Sequence, residues 1–166
     1  SSQQEIADTR AELNLRVAAA ATDLDRNIRS ARLLLRSMTQ IPAIAAIGSA
    51  QCPEQLAVLA APYAQIGTAS VIGTDGTLVC TIEPDTTKVN VADRDYFREA
   101  LLSHDSVIGK TVTSRRYSGT YVLPVALTLR DGAGRPTGVL VVGINLNQFA
   151  KDNAATWTDA GTVVTL

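Results

Sequence analysis

Few of the side chains that announce chemistry occur in this sequence: its 166 residues include one His, one Met, one Trp and two Cys, and aromatic residues make up only 4%. A structural zinc site needs about four nitrogen or sulfur ligands in close pairs. His104 stands far from both Cys52 and Cys80, so no metal site is expected. Nucleophilic catalysis has no base to draw on, because no second His accompanies His104 and no Ser-x-Gly elbow occurs. No two carboxylates are spaced to share one face of a single element within an apolar pocket, which leaves general acid–base work without positive support. His104 reads as a solvated helix-end residue. The expectation is a protein that is not an enzyme and holds no cofactor.

Excess charge is missing too. Fifteen Lys and Arg against sixteen Asp and Glu give a net charge of −1, so the electrostatic drive for nucleic-acid binding is absent, as is a basic membrane-binding surface. No segment joins a basic stretch, an apolar stretch and a small-residue cleavage site. The longest uncharged run, residues 55–74, is interrupted by Pro62 and Gly67 and reads as loop plus strand rather than a membrane span. Two glycine motifs resemble phosphate loops and fail in detail. Gly109-Lys110-Thr111 has His104 where the upstream Gly belongs, and Gly132 to Gly138 sits between two strand candidates instead of ahead of a helix.

What remains is ordinary globular composition, 46% apolar and 19% charged, at a length that suits one domain. Residues 4–38 contain neither Pro nor Gly and are rich in Ala, Leu, Arg, Glu and Gln, which predicts one long helix. Its apolar stripe, Leu13, Val17, Ala20, Leu24, Ile28, Ala31, Leu35 and Met38, has near-heptad spacing with one stutter. Some 35 residues span about 50 Å, more than the remaining chain could cover, so part of this helix is expected to project or to pair with another.

Short helices are predicted within residues 41–50 and over 53–61. Residues 68–73 and 77–82 read as two strands joined by Thr74-Asp75-Gly76, a hairpin turn signal. Residues 83–91 form a polar loop, and 92–102 a helix with Asp93 as its N-cap. Strands follow at 106–114, 119–130 and 137–146, and Pro124 in the second of these implies an edge position or a bulge. A short helix at 147–157 and a strand at 161–166 close the chain. The class is α+β: a long N-terminal helix with a five-stranded antiparallel sheet and flanking helices. Residues 1–40 form the stalk helix and 41–150 the main module. The chain reads as an excised piece, starting in mid-helix and stopping in mid-strand. Cys52 and Cys80, 28 positions apart, are compatible either with two buried hydrophobes or with a disulfide.

Several blocks together resemble the extracytoplasmic Cache domains, PAS-like ligand sensors of bacterial receptors. They are the Asp75-Gly76 turn leading to the strand with Cys80; Asp93-Arg94-Asp95-Tyr96-Phe97-Arg98-Glu99-Ala100; Val107-Ile108-Gly109; Ser118-Gly119-Thr120 opening the strand with Pro124; and Gly138 to Gly143 running into Asn145 to Phe149. With the long helix, the likeness covers nearly the whole chain. It implies the periplasmic part of a histidine kinase, diguanylate cyclase or chemoreceptor, anchored by transmembrane segments outside this sequence. It also implies a Cys52–Cys80 disulfide, a homodimer through the N-terminal helix, and residues 151–166 as linker and first strand of an incomplete membrane-proximal module.

Amino-acid-binding members of that family carry Arg-x-Trp-Tyr-x-x-Ala. Here Arg94 and Ala100 match, Tyr96 replaces the Trp, Phe97 replaces the Tyr, and Gly143 stands where an Asp holds the ligand amine. Independently of the likeness, Arg94 offers a rigid bidentate fork for a carboxylate, and Tyr96 an aromatic wall with a hydroxyl. Three of the four Tyr fall between 96 and 121, so Tyr117 and Tyr121 could close the far side, with Arg115 facing an anionic ligand; Arg115 and Arg116 otherwise read as solvated turn residues. The expected ligand-binding set is Arg94, Tyr96, Phe97, Arg115, Tyr117 and Tyr121, and the expected partner is an amino acid or a small carboxylate. The rival readings are a ligand-free dimerisation scaffold and a redox sensor working through Cys52 and Cys80.

Overall fold

The computed structural model describes residues 1–82, 89–113 and 121–152. Helix α1 runs from Ser2–Thr39, about 57 Å at 1.5 Å per residue. Its two halves differ as the length argument requires. Ala31, Leu34, Leu35 and Met38 are at most 4% exposed, whereas in the first nineteen residues only Leu13 and Val17 are even half-buried. Ala20 is buried, so the apolar stripe is covered from about the middle of the helix onward.

Helices α2 (Pro42–Ala45) and α3 (Cys52–Ala60) follow, each with Pro in its first turn, where the missing amide would have had no partner. The strands are β1 (Ile66–Ile72), β2 (Leu78–Thr81), β3 (Val107–Ile108), β4 (Val112–Thr113), β5 (Tyr121–Arg130) and β6 (Pro136–Asn145), with α4 (Asp95–Leu101) before β3 and α5 (Leu146–Asp152) after β6. All pairings are antiparallel, in the order β2-β1-β6-β5-β3, with β4 also on β5. This is the predicted five-strand arrangement with its third strand, expected unbroken over 106–114, split into β3 and β4. The predicted strand at 161–166 and the end of the helix predicted over 147–157 lie outside the described residues.

The split explains Pro124. Its expected edge position is corrected: β5 is an interior strand, flanked by β6 and by β3 and β4. The carbonyl of Pro124 accepts from Gly109 N–H at 2.9 Å, so its lost donor faces the point where the outer strand breaks. The irregularity belongs to the neighbour, and the one ladder bond that Pro124 cannot donate falls at Gly109, where that neighbour breaks.

Strand alternation sorts the core into two layers. Val125 and Leu129 of β5, with Leu140, Val142 and Ile144 of β6, join Leu35, Met38, Ile44 and Leu56 in one cluster beneath α1, α2 and α3. Ala126, Val139 and Ile72 join Tyr96, Phe97 and Ala100 in the other, beneath α4. The Cys52–Cys80 disulfide, with Cα atoms 6.3 Å apart, ties the start of α3 to β2. Cys52 and Cys80 are 1% and 5% exposed, a placement that shields the bond from thiol attack and argues against a labile redox switch.

Replacing both cysteines by Ser is expected to lower stability by about 3–4 kcal/mol, the chain-entropy value for a loop of this size, read as a lower urea midpoint. An unchanged midpoint would show that the link contributes nothing to the fold.

Candidate functional site

The sheet face beneath α4 is ordered in rows. Thr68, Gly143 and Pro124 stand side by side across β1, β6 and β5; next come Ser70, Val141 and Ala126; then Ile72, Val139 and Thr128. The apolar cluster with Phe97 and Ala100 occupies the second and third rows, and Thr128 Oγ1 donates to the carbonyl of Ala100 at 2.6 Å. The first row carries no large side chain from the sheet. A Cβ added at Gly143 would lie 2.6 Å from Thr68 Oγ1 and 3.4 Å from Val122 Cβ, so this floor is closely built and lined by small groups. Ser70 Oγ donates to Thr81 Oγ1 at 3.3 Å, placing hydroxyls beside the small-residue row.

The β1–β2 turn, beyond the Ile72 row, holds the residues that lead into α4. Gly76 takes φ +87° in the turn, and a Cβ there would lie 2.6 Å from that of Ala92. Only Gly satisfies both the dihedral and the approach. The Val91 N–H donates to the Gly76 carbonyl, the Leu78 N–H to that of Val89, and the Arg94 N–H to that of Val91. Asn90 caps the arrangement, its Oδ1 accepting from Ala92 N–H at 2.9 Å. The residues leading into α4 are thus pinned along the hairpin.

The N-cap position itself is Arg94, without a side-chain capping bond. The expected cap, Asp93, lies one residue outside, because the chain enters the helix from the extended backbone of Arg94, φ −78° and ψ 135°. Arg94 is half-buried. Asp95 pairs with Arg98 at 2.7 Å.

Tyr96 is 9% exposed and packs where β3 ends. A Cβ at Gly109 would fall 2.7 Å from both Tyr96 Cβ and Pro124 Cγ, so the strand break, the proline and the tyrosine form one contact. Phe97, 3% exposed, sits deeper in the same cluster against the sheet.

The structure places Tyr96 and Phe97 in the cluster beneath α4 and Arg94 at the N-cap of the same helix. Tyr121 is not brought to them: its ring packs with the cluster beneath α1, and its N–H donates to Asn147 Oδ1 at 3.0 Å. Parity decides this, since Tyr121 shares the face of Leu123 and Val125, one residue out of step with Val122 and Pro124. Arg115 and Tyr117 lie outside the described residues, in the segment between β4 and β5. The hydroxyl row of Thr68, Ser70 and Thr81 was missed by sequence reading. Its only signal was polar residues alternating with apolar ones in β1.

The sequence matches no family model and no curated protein. Solved structures are similar over most of the chain. The extracellular domain assigned to the histidine kinase rpHK1S-Z16 superposes with a TM-score of 0.72 at 24% identity, covering 90% of this chain and 63% of that one. The ligand-binding domain of the Campylobacter jejuni chemoreceptor Tlp3, in complex with L-valine, gives 0.65 at 15% identity over 92% and 66%. That of the Pseudomonas aeruginosa amino acid chemoreceptor PctC, in complex with GABA, gives 0.65 at 14% over 86% and 65%.

The chain thus has the fold of the extracellular sensor domains of bacterial receptors. It agrees, in its long helix behind a β2-β1-β6-β5-β3 sheet, with the α+β fold that the sequence likeness implied. It spans just under two-thirds of the length of the first two of these chains. Among the described residues no helix is long and apolar enough to cross a membrane.

Gly109→Ala is expected to cost about 1–3 kcal/mol by overpacking against Tyr96 and Pro124 and to shift the near-UV signal of the buried tyrosine. A variant with wild-type melting and spectrum would show that this contact does not hold Tyr96 in place.

Proposed function

We propose that this chain is a periplasmic ligand-sensing module of a transmembrane receptor, that it binds a small carboxylate-bearing ligand without chemical conversion, and that it passes a conformational change to α1. The ligand lies over the Thr68–Gly143–Pro124 row. Arg94 receives the carboxylate, and Tyr96 forms one wall with Phe97 behind it; Arg115 and Tyr117, outside the described residues, are the further candidates for ligand contact. The observation that carries this reading is the small-residue row of Thr68, Gly143 and Pro124 against which Tyr96 packs at the start of α4, with the half-buried Arg94 two residues before it.

A bidentate guanidinium suits a planar carboxylate, and small floor residues leave the ligand body in contact with apolar walls. Relay to α1 needs only the sheet between them. In β6, Val141 and Gly143 face the site while Leu140, Val142 and Ile144 face the helix cluster. A shift of that strand reaches both layers, and the exposed first half of α1 offers a surface for pairing with a second copy in the receptor.

The test is a thermal-shift screen against amino acids, short mono- and dicarboxylates and small amines. A true ligand at 100 times its dissociation constant adds about 2.7 kcal/mol, several degrees in Tm at this size. The shift is expected to vanish in Arg94→Ala. A carboxylate that bound this variant as tightly as wild type would overturn the assignment.

A further inference from the structure

A second concave site lies at the far end of α4. Strand β3 pairs with β5 only at Val125 and Ala126, while β5 continues to Arg130. Beyond that last pair, a groove of about 530 Å³ runs between the end of α1, the α4–β3 connection and the ends of β5 and β6. Three basic side chains from three separate elements line it: Arg36 of α1, His104 after α4, and Arg130 at the end of β5. Thr39, Gln40 and Thr137 add neutral polar groups. We propose that this groove binds a small multivalent oxyanion, of polycarboxylate or phosphate type, as a second input to the domain.

Arg130 carries the argument. Its two terminal nitrogens donate to the carbonyls of Gly134 at 3.0 Å and Ser103 at 3.1 Å. Those neutral acceptors fix the guanidinium plane and leave its charge without a carboxylate among the described residues. The neighbouring Asp131 is occupied in its own turn, its Oδ1 accepting from the N–H groups of Ala133 and Arg135. A half-buried guanidinium held in one orientation loses little further freedom when it meets an anion.

Arg36 is the adaptable member. It meets Asp105 at 3.4 Å, with the two side chains 64% and 80% exposed, and a solvated pair of this kind holds its partners weakly. Arg36 can therefore leave Asp105 for a bound anion. Counting Arg36 and Arg130 against Asp105, the groove carries one net positive charge with His104 neutral and two with it protonated. A single carboxylate would satisfy Arg130 alone. A multivalent oxyanion is the smallest chemistry that engages Arg130, Arg36 and His104 together.

The location gives the site a consequence. Arg36 lies in the last turn of α1, Arg130 belongs to the central sheet, and Arg36–Asp105 is the one ion pair among the described residues that joins α1 to the rest of the fold. An anion in the groove would exchange that pair for a direct bridge between α1 and the sheet.

The test is isothermal titration of the chain with citrate and with inorganic phosphate, against chloride at matched ionic strength. Saturable one-site binding to at least one of the two is expected, with the Arg36→Gln/His104→Asn double variant at least about tenfold weaker, since each removes a charge-assisted contact. Both positions are solvent-exposed, so the double variant tests the site without disturbing the core, whereas Arg130→Gln also frees two carbonyls. Arg94→Ala is expected to bind these anions unchanged, which separates the groove from the site over the Thr68 row. Heats no larger than those of chloride, or an affinity unaltered in the double variant, would overturn the proposal.

Discussion

Everything in this fold depends on the period-two alternation of β5 and β6, the two ten-residue strands at the centre of the sheet. Each must feed two apolar layers at once, and a one-residue slip in their register would exchange those layers. The pairing is continuous from Val122–Asn145 to Leu129–Gly138. Through that length, odd positions of β5 and even positions of β6 serve α1, and the remaining positions serve α4. Among the described residues the two helix layers meet through these strands and at the Arg36–Asp105 pair. A sheet covered on both faces is stiff, and a movement of α4 relative to it has few routes of relief other than the strand positions that also support α1.

The rest of the structure restrains that central pair. The hairpin β1–β2 lies along β6 and positions the residues entering α4 through Gly76 and Ala92. The disulfide fixes β2 to α3, and α3 packs in the cluster that holds the C-terminal half of α1. The covalent link therefore joins the margin where α4 begins to the helical layer on the opposite face. Its stabilisation acts mainly on the unfolded chain. In the folded protein it also limits how far the hairpin can move independently of the helices.

Much of this was legible in the sequence where local chemistry decides the outcome. A 35-residue span without Pro or Gly has few alternatives to helix, and Asp75-Gly76 between two β-rich runs has few alternatives to a hairpin. Non-local facts were not legible. Pro124 in the interior of a sheet is acceptable only because a partner 15 residues earlier in the chain breaks at Gly109, and neither residue carries that information alone. Tyr121 was grouped with Tyr96 because both are tyrosines in one stretch of chain, yet one residue of register sends them to opposite faces. The Arg94-Tyr96-Phe97 block was singled out through its likeness to known sensors, and Tyr96 and Phe97 lie buried beneath α4. The meeting of Arg36, His104 and Arg130 was not, since those residues come from three elements across 95 positions of the chain.

The two proposed binding regions sit at opposite ends of α4 and differ in what they would report. At its start, a ligand held by Arg94 and Tyr96 would change the contact between α4 and the sheet. At its far end, Arg130 and Arg36 line one groove, and an anion there would change the contact between α1 and the sheet. On this proposal both act on one equilibrium, the placement of α1 against β5 and β6. Two ligands that bias the same equilibrium are coupled even when they never touch, and the coupling is reciprocal. Its sign depends only on whether each favours the same placement. Its size cannot exceed the difference in affinity that the weaker discriminator shows between the two placements. Because the groove engages α1 directly while the Arg94 region reaches it through a strand, the groove is the better placed of the two to set the resting position from which the other ligand moves the helix.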